Sequence, residues 1–285
     1  MGGEPRLADL TRLGAGREAE VFAWYAGRAL RLARDPSRGA RLRREALALE
    51  CAGRAGVPVP RVHDEVVVEG RPGLVVDRVD GRDLLSVVER RPWRFHAVGR
   101  TCGALHARMH ALEGPDELPL LADELRARLQ TDPVPGDVRD AALRELERLP
   151  AGDRLCHGDF HPANVLAARD GPVVIDWTLA ARGDPTADVA RTRLLLLDSA
   201  VPEDASAILR SLAHVGRRLL FAAYLRGYRS VRAPDHELVR RWVWVCAAAR
   251  LAEGIDAEHD ALLATARSGA ENKLRGWDSN PQPLG

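Results

Sequence analysis

Five polar side chains that could do chemistry are concentrated near the middle of the chain. The segment HGDFHPANVL, residues 157–166, is followed after a short Gly-Pro turn by VVIDW, residues 173–177. These segments supply His157, Asp159, His161, Asn164 and Asp176. Imidazole, carboxylate and amide groups at this density could bind zinc, activate a nucleophile for hydrolysis, or hold magnesium against phosphate.

Zinc binding and hydrolysis are the two weaker interpretations. His157, Asp159 and His161 alternate as H-x-D-x-H, but zinc needs further ligands and groups that orient them, and an asparagine is a poor zinc ligand. A hydrolase needs a nucleophile beside a base, and Cys156 adjoins His157. Sequence neighbours rarely face one another in this way, however, and the chain has no G-x-S-x-G motif.

Phosphoryl transfer explains the spacing as well as the residue types. An aspartate, four intervening residues and an asparagine form the step found in kinase catalytic loops, and a second aspartate leaves a strand roughly a dozen residues later. Asp159, Asn164 and Asp176 have this arrangement. We therefore predict that Asp159 orients an attacking hydroxyl and that the oxygen atoms of Asn164 and Asp176 bind Mg²⁺.

The same segments resemble the aminoglycoside phosphotransferase and choline kinase family, relatives of the protein kinases. That family's loop reads H-G-D-x-H-x-x-N, followed by I-D-[WFY], and the stretch GDPTADVARTRLLLL, residues 183–197, is similar to its G-D-P-x-x-D continuation. The resemblance implies transfer of phosphate from ATP or GTP to a hydroxyl of a small molecule, with Asp159 as the catalytic base. It also implies that His157 and His161 support the loop.

Two further aspartates follow the loop. Asp184 and Asp188 are four residues apart, and we predict that they cap a helix that begins near Asp188. Asp184 is also expected to steady the metal-binding loop. Thr178 stands where many members of the family carry an acidic residue. We expect this difference to affect the support of the loop more than the chemistry.

The resemblance extends to the amino-terminal part of the chain. LGAGREAEVF, residues 13–22, is similar to the family's nucleotide loop, which places Gly14 and Gly16 over the phosphates. By the same alignment, the backbone between Asp77 and Val79 would meet the nucleotide base.

Arg31 is the main departure from the family. It stands where the family has a lysine, and Glu45 stands where a helix glutamate pairs with that lysine. An arginine is larger and binds phosphate through two donors rather than as a point charge. The leading hypothesis is therefore an active small-molecule kinase, and the alternative is a non-catalytic nucleotide-binding protein of the same fold.

Composition restricts the partners and the compartment. The 42 basic and 41 acidic side chains nearly cancel, so no overall charge favours nucleic acid. Four scattered cysteines without a C-x-x-C pair indicate reduced thiols. The amino-terminal residues lack the apolar core of a signal peptide, and no apolar run could span a bilayer. We expect a cytoplasmic protein that acts without a membrane.

The elements that must position these residues divide the chain in two. Short strands and one helix, with Leu42, Ala46 and Leu49 on a single face, occupy the first eighty or so residues. Helical patterns then dominate, apart from a strand-rich island at 155–176. We predict an α+β, two-lobed protein-kinase-like fold: a small sheet lobe at 1–80, a larger helical lobe at 81–270, and a disordered tail at 271–285.

Two other patterns invite a functional interpretation. His106 and His110 lie one helical turn apart and could bind a metal, but no third ligand accompanies them in the sequence. AEGIDAEHDA, residues 252–261, could supply carboxylates for a cationic acceptor, although a surface helix would show the same pattern. Its acidic residues are Glu253, Asp256, Glu258 and Asp260.

Overall fold

The amino-terminal part of the molecule is an antiparallel sheet of five strands. The computed structural model describes residues 6–16, 18–198 and 207–278. The strand order is β1-β2-β3-β5-β4. The strands are β1 (Arg12–Ala15), β2 (Ala19–Trp24), β3 (Arg28–Ala33), β4 (Val62–Val68) and β5 (Arg71–Asp77).

The central strand β3 directs its side chains alternately to the two faces of this sheet. Leu30 and Leu32 are fully buried with Phe22 and Val75 on one face. Because side chains alternate along a strand, Arg31 belongs to the opposite face together with Ala29 and Ala33. The helix of the sheet lobe packs on that face, so the partly buried side chain of Arg31 is directed toward the helix.

The helix of the sheet lobe is α1 (Gly39–Arg54). Its sequence is rich in alanine, leucine, arginine and glutamate and has no β-branched residue, a composition that favours helix. Leu42, Ala46 and Leu49 are buried, as their spacing predicts, and Glu45 is buried among them. Gly56, with a φ of 75°, follows the end of the helix in the left-handed conformation that glycine adopts readily.

Helices form most of the remaining chain. They are α2 (Leu84–Arg90), α3 (Phe95–Met109), α4 (Leu121–Leu129), α5 (Gly136–Leu146), α6 (Pro185–Leu197), α7 (Ala207–Arg229), α8 (His236–Arg250) and α9 (Asp256–Asp278). The short strands among them are β6 (Gly81–Asp83), β7 (Arg154–Cys156), β8 (Val165–Ala168), β9 (Gly171–Val174) and β10 (Ala181–Gly183). β6 pairs with β8, and β8 with β9, which frames the segment from 157 to 176.

Helices α3 and α7 approach each other very closely. A Cβ atom on Gly103 would lie 1.9 Å from the backbone oxygen of Tyr224, and one on Gly227 would lie 2.1 Å from that of Arg100. Only glycine permits this approach. The contact fixes α3, which carries His106 and ends just before His110, against α7, which carries Tyr224 and Tyr228.

The fold class predicted from the sequence is confirmed: a small antiparallel sheet lobe with one main helix precedes a larger helical part. The predicted tail differs, because α9 continues to Asp278 and so includes residues 271–278. Residues 279–285 of that prediction lie outside the described residues. No helix among the described residues is long and apolar enough to cross a membrane.

Candidate active site

The loop that follows β7 is shaped by one glycine and one buried carboxylate. Gly158 has a φ of 77°, and a Cβ atom there would lie 2.2 Å from the backbone oxygen of Leu179. Asp188, inside α6, accepts hydrogen bonds from the backbone N–H groups of His157 at 2.5 Å and Gly158 at 3.1 Å. Hydrogen bonds to the side chain of Asp188 therefore fix the backbone at the start of the loop.

Asp188 does not cap α6. The helix begins at Pro185, and Asp184 is the capping residue, because its side chain accepts a hydrogen bond from the N–H of Thr186 at 2.7 Å. The expectation that Asp188 marks the helix start is thus corrected. An aspartate three residues inside the helix is instead directed toward the loop.

His106 and His110 are the other partners of Asp188. Their Nε2 atoms lie 3.1 and 3.3 Å from its Oδ2, and their Nδ1 atoms lie 2.7 and 2.8 Å from the hydroxyls of Tyr224 and Tyr228. Burial, with the nearby charge of His110, lowers the pKa of His106 to about 3. Burial alone would raise the pKa of Asp188, but the two histidines hold it well below its usual range.

Asp188 is the third potential metal ligand beside His106 and His110, which the sequence alone did not reveal. The three ligand atoms lie within 4.8 Å of one another, which is compatible with a metal. Every ring nitrogen nevertheless has a hydrogen-bond partner within the protein, and buried polar groups that are all satisfied form a stable network without an ion. We interpret the cluster as support for the loop.

His157 is also part of the scaffold beneath the loop. It is fully buried, its Nε2 lies 3.1 Å from the backbone oxygen of Ile175, and its Nδ1 accepts a hydrogen bond from the N–H of Asp159 at 3.2 Å. Burial lowers the pKa of this histidine. His157 therefore links the loop to the strand that precedes Asp176.

Asp159, Asn164 and Asp176 lie around one cavity, as their spacing predicts. The three side chains line a cavity of about 800 Å³, together with Gly16 and His161. Asn164 Nδ2 donates a hydrogen bond to the backbone oxygen of Asp159 at 2.9 Å. The backbone N–H of Ile175 donates to the backbone oxygen of Asn164 at 3.0 Å, which brings the second aspartate beside the loop.

Asp159 is held by two cationic or potentially cationic groups. Arg191 Nη2 donates to its Oδ1 at 3.2 Å, and His161 Nε2 lies 3.6 Å from its Oδ2. Burial alone would raise the pKa of Asp159, but His161 and Arg191 lower it far below its usual range. This carboxyl group is therefore ionised at neutral pH.

Arg31 connects the sheet lobe to this loop. Its Nε donates to Glu45 Oε2 at 3.0 Å, and its Nη2 donates to Asp176 Oδ1 at 3.0 Å. Burial alone would lower the pKa of Arg31, but the two carboxylates raise it. Burial raises the pKa of Glu45 to about 7, against the opposing effect of Arg31.

A second cavity, of about 650 Å³, adjoins the first. It is lined by five residues that the sequence predicts to meet a nucleotide: Gly14, Arg31, Glu45, Asp77 and Val79. Arg31 and Asp176 line both cavities. The two spaces therefore meet beside the guanidinium and the carboxylate, and the sixth predicted residue, Gly16, lines the larger one.

The oxygen atoms of Asn164 and Asp176 fit a magnesium ion chemically. Asp176 Oδ1 accepts hydrogen bonds from Arg31 and from Thr178 Oγ1, the latter at 3.0 Å. Within the described residues, no hydrogen bond occupies Asp176 Oδ2 or the side-chain oxygen of Asn164. Two hard oxygen atoms beside the cavity are the type of ligand that Mg²⁺ prefers.

The residue that sequence reasoning missed is Arg191. It follows Asp188 by three positions on α6, so both side chains project from the same face, and this spacing was the available signal. Its side chain is 9% exposed and contacts Glu253 Oε1 at 2.8 Å as well as Asp159. Glu253 is thus engaged by an arginine rather than free.

The rest of the acidic segment at 252–261 is engaged or peripheral. Glu258 is buried and accepts a hydrogen bond from Arg250 Nε at 2.8 Å. Asp256 and Asp260 are not among the residues that line the two cavities. The segment therefore offers no unpaired carboxylate to a cationic acceptor at this site.

Comparison with known proteins places the chain among phosphate-transferring enzymes. Residues 9–233 match the model of the phosphotransferase enzyme family. Curated protein sequences give no match.

Many solved structures are similar in fold. Amicoumacin kinase hAmiN, in complex with AMP-PNP, Ca²⁺ and Ami, is 16% identical with a TM-score of 0.63, over 95% of this chain and 90% of that one. Aminoglycoside-3'-phosphotransferase of type VIII is 25% identical with a TM-score of 0.56, over 86% and 93%. Macrolide 2'-phosphotransferase MphH from Brachybacterium faecium is 20% identical with a TM-score of 0.52, over 91% and 92%. The family match spans most of the chain, and the chain belongs to the phosphotransferase enzyme family.

Proposed function

We propose that the protein transfers the γ-phosphate of ATP or GTP to a hydroxyl group of a small molecule. One observation carries the proposal: Asp159, Asn164 and Asp176 line a cavity that meets a second cavity at Arg31 and Asp176. A kinase needs this division, with a nucleotide on one side of the reacting phosphate and an acceptor on the other. The names of structures similar in fold, which include amicoumacin, aminoglycoside and macrolide kinases, support a small acceptor.

The nucleotide occupies the smaller cavity in this proposal. The backbone from Asp77 to Val79 receives the base, and the turn with Gly14 and Gly16 covers the phosphates. Arg31 neutralises phosphate charge, and Glu45 holds the guanidinium in place through the 3.0 Å contact. A cation fixed before the reaction stabilises the transition state without a cost of reorganisation.

Asp159 acts on the acceptor. Its carboxylate receives a hydrogen bond from the acceptor hydroxyl and takes the proton as the oxygen attacks the γ-phosphorus. The bond between that phosphorus and the bridging oxygen to the β-phosphate breaks, and the nucleoside diphosphate leaves with the electron pair. Arg191 holds Oδ1 of Asp159, which keeps the carboxylate in one orientation.

Asn164 and Asp176 hold magnesium in this proposal. When bound, the ion neutralises charge on the phosphates and helps to orient them. Arg31 and Thr178 orient Asp176 through its Oδ1, so the other oxygen stays available. His157, His161, Asp184 and Asp188 support the backbone that carries these groups.

A non-catalytic nucleotide-binding protein is the alternative, and Arg31 in place of the family lysine is the observation that favours it. The contacts of Arg31 argue for activity instead. Its contact with Glu45 keeps the pairing of strand cation and helix glutamate that kinase activity requires, and its contact with Asp176 places the guanidinium beside the proposed magnesium ligand.

Labelled nucleotide and an acceptor panel test the proposal. Purified protein is incubated with Mg²⁺, γ-labelled ATP or GTP, and hydroxylated amines, sugars, sugar acids and antibiotics. We expect magnesium-dependent label in at least one acceptor. Nucleotide-dependent thermal stabilisation without transfer to any acceptor, and without a gain from Arg31→Lys, would support the alternative.

A further inference from the structure

The larger cavity is lined by arginines from both parts of the molecule. Besides Arg31, four of them face it, and none of the four lines the smaller cavity. They are Arg38, in the turn before α1, Arg41 on α1, Arg128 on α4 and Arg191 on α6. Four cations from four elements therefore surround the space beside Asp159.

The carboxylates that partner these arginines are shared. Arg38 and Arg41 both contact Glu18, the latter at 2.5 Å. Arg128 and Arg191 both contact Glu253, at 3.5 and 2.8 Å. Arg38 and Arg41 thus share one carboxylate, and Arg128 and Arg191 share another. Arg191 also contacts Asp159.

A third arginine competes for Glu253. Arg250 Nη1 lies 2.8 Å from Glu253 Oε2 while its other nitrogens contact Glu258. Glu253 therefore meets three guanidinium groups, so its negative charge is fully committed. A ligand cation that approached it would have to displace an arginine.

The cations are also close enough to affect one another. Burial lowers the pKa of Arg128, and the charges of Arg191 and Arg41 lower it further. Within the described residues, the buried Nε of Arg191 has no hydrogen-bond partner. Crowded, incompletely paired guanidinium groups are stabilised by an anion, and their planar donors match carboxylate and phosphate oxygens.

The carboxylates of this cavity cannot supply a site for a polycation. Among the described residues that line it, the acidic ones are Glu18, Asp159, Asp176 and Glu253. Two of these are shared between arginines, and the other two serve the proposed chemistry. A polyamine acceptor would therefore meet more positive than negative charge beside the reacting groups.

We propose that the acceptor is an anion: a small hydroxylated molecule that carries a carboxylate or phosphate group. Arg41 and Arg128 bind the anionic group while its hydroxyl meets Asp159. This inference rests on the proposed function, since it names the class of molecule that the kinase phosphorylates. It sets the acceptor apart from the aminoglycosides for which several structures of similar fold are named.

Matched pairs of compounds test the charge preference. Each pair has the same hydroxyl groups and differs in charge: glycerate with glyceramide, and glucose 6-phosphate with glucose. Kanamycin represents polycations. Binding is measured by calorimetry on protein saturated with Mg²⁺ and AMP-PNP, and phosphate transfer is measured with labelled ATP. We expect the acid of at least one pair to bind roughly tenfold more tightly than its neutral partner, because a charge-assisted pair adds that much affinity.

Two variants connect the preference to the arginines. Arg128→Gln and Arg41→Gln should reduce the preference for the acid roughly tenfold and leave the KM for ATP unchanged. The control is Arg126→Gln, which removes an exposed charge from the same helix and should leave the preference unchanged. Retained AMP-PNP binding shows that each variant is folded.

The outcomes separate this inference from the proposed function. Transfer of phosphate to kanamycin or glyceramide at the rate seen with glycerate would overturn the inference and keep the kinase. Tight binding of an acid without transfer to any acceptor would keep the charge preference and contradict the kinase. Equal binding of acid and neutral partner in both pairs, or a preference that survives Arg128→Gln and Arg41→Gln together, would overturn the inference.

Discussion

Arg31 Nη2 lies 3.0 Å from Asp176 Oδ1, so a guanidinium of the sheet lobe is bonded to the carboxylate that follows β9. The same group reaches Glu45 through Nε, also at 3.0 Å. A lysine has one nitrogen for both carboxylates, whereas an arginine has separate donors in a planar group. Arg31 can therefore hold both carboxylates at once, each through its own nitrogen.

The first prediction concerns Arg31. Arg31→Met should lower kcat/KM by roughly a hundredfold, because it removes the cation that neutralises phosphate charge in the proposed mechanism and leaves Glu45 buried without its partner. Arg31→Lys should stay within about tenfold of the wild type, because an ammonium keeps the charge but not the paired donors. Steady-state kinetics with ATP as the varied substrate measures both effects. Equal activity of all three proteins would show that the cation at this position has no part in transfer.

The second prediction concerns acid stability. The unfolded chain binds a proton at His106 as the pH falls below 6.5, whereas the folded protein does so only near a pKa of about 3. Acid therefore favours the unfolded chain, and the free energy of unfolding should fall with decreasing pH across this window, by about 1.4 kcal/mol per pH unit for one proton. Asp188, with its lowered pKa, adds a loss of the same sign at still lower pH.

Urea unfolding of the wild type and His106→Gln between these pH values measures that contribution. Glutamine keeps a donor for Asp188 but does not titrate, so the variant should be less stable at neutral pH and should show a flatter dependence on pH. An unchanged slope would mean that His106 does not change its proton affinity on folding.

The third prediction concerns the contact between α3 and α7. Gly103→Ala should lower the free energy of unfolding by about 1–3 kcal/mol, because the new methyl group overlaps the backbone of Tyr224 and the helices must separate. Gly216→Ala is the control on α7. It is exposed with no atom within 4 Å of its Cβ position, so alanine should stabilise the helix by about 0.5–1 kcal/mol. Denaturant unfolding of both variants measures the difference, and a stable Gly103→Ala would contradict the close approach.

The segment from His157 to Asp176 carried most of what the sequence could predict. Asp159, Asn164 and Asp176 are close in the sequence and lie on segments next to neighbouring strands. Their spacing alone therefore indicates that they lie together. The fold class followed from the change from strand to helix periodicity. The tail prediction failed at residues 271–278 because polar composition does not prevent a helix from continuing.

The support beneath the loop could not be predicted from the sequence. Asp188 is 78 residues from His110 and 82 from His106, and the packing of α3 and α6 against α7 brings them together. The same reason applies to Glu253, which meets Arg191 through packing of distant segments. Spacing describes contacts within an element, whereas ion pairs between elements depend on the tertiary fold.

In the proposed mechanism, Asp159 receives the proton of the acceptor hydroxyl. Asp159→Asn keeps the shape of the side chain and removes the base, so kcat should fall by about 10²–10⁴ while the affinity for nucleotide stays unchanged. Asp170→Asn, at an exposed turn between β8 and β9, is the matched control and should behave as the wild type. Phosphate transfer and nucleotide affinity measured on these proteins test the role of Asp159. Loss of transfer with intact nucleotide binding supports that role, and an Asp159→Asn protein that transfers phosphate within about tenfold of the wild-type rate contradicts it.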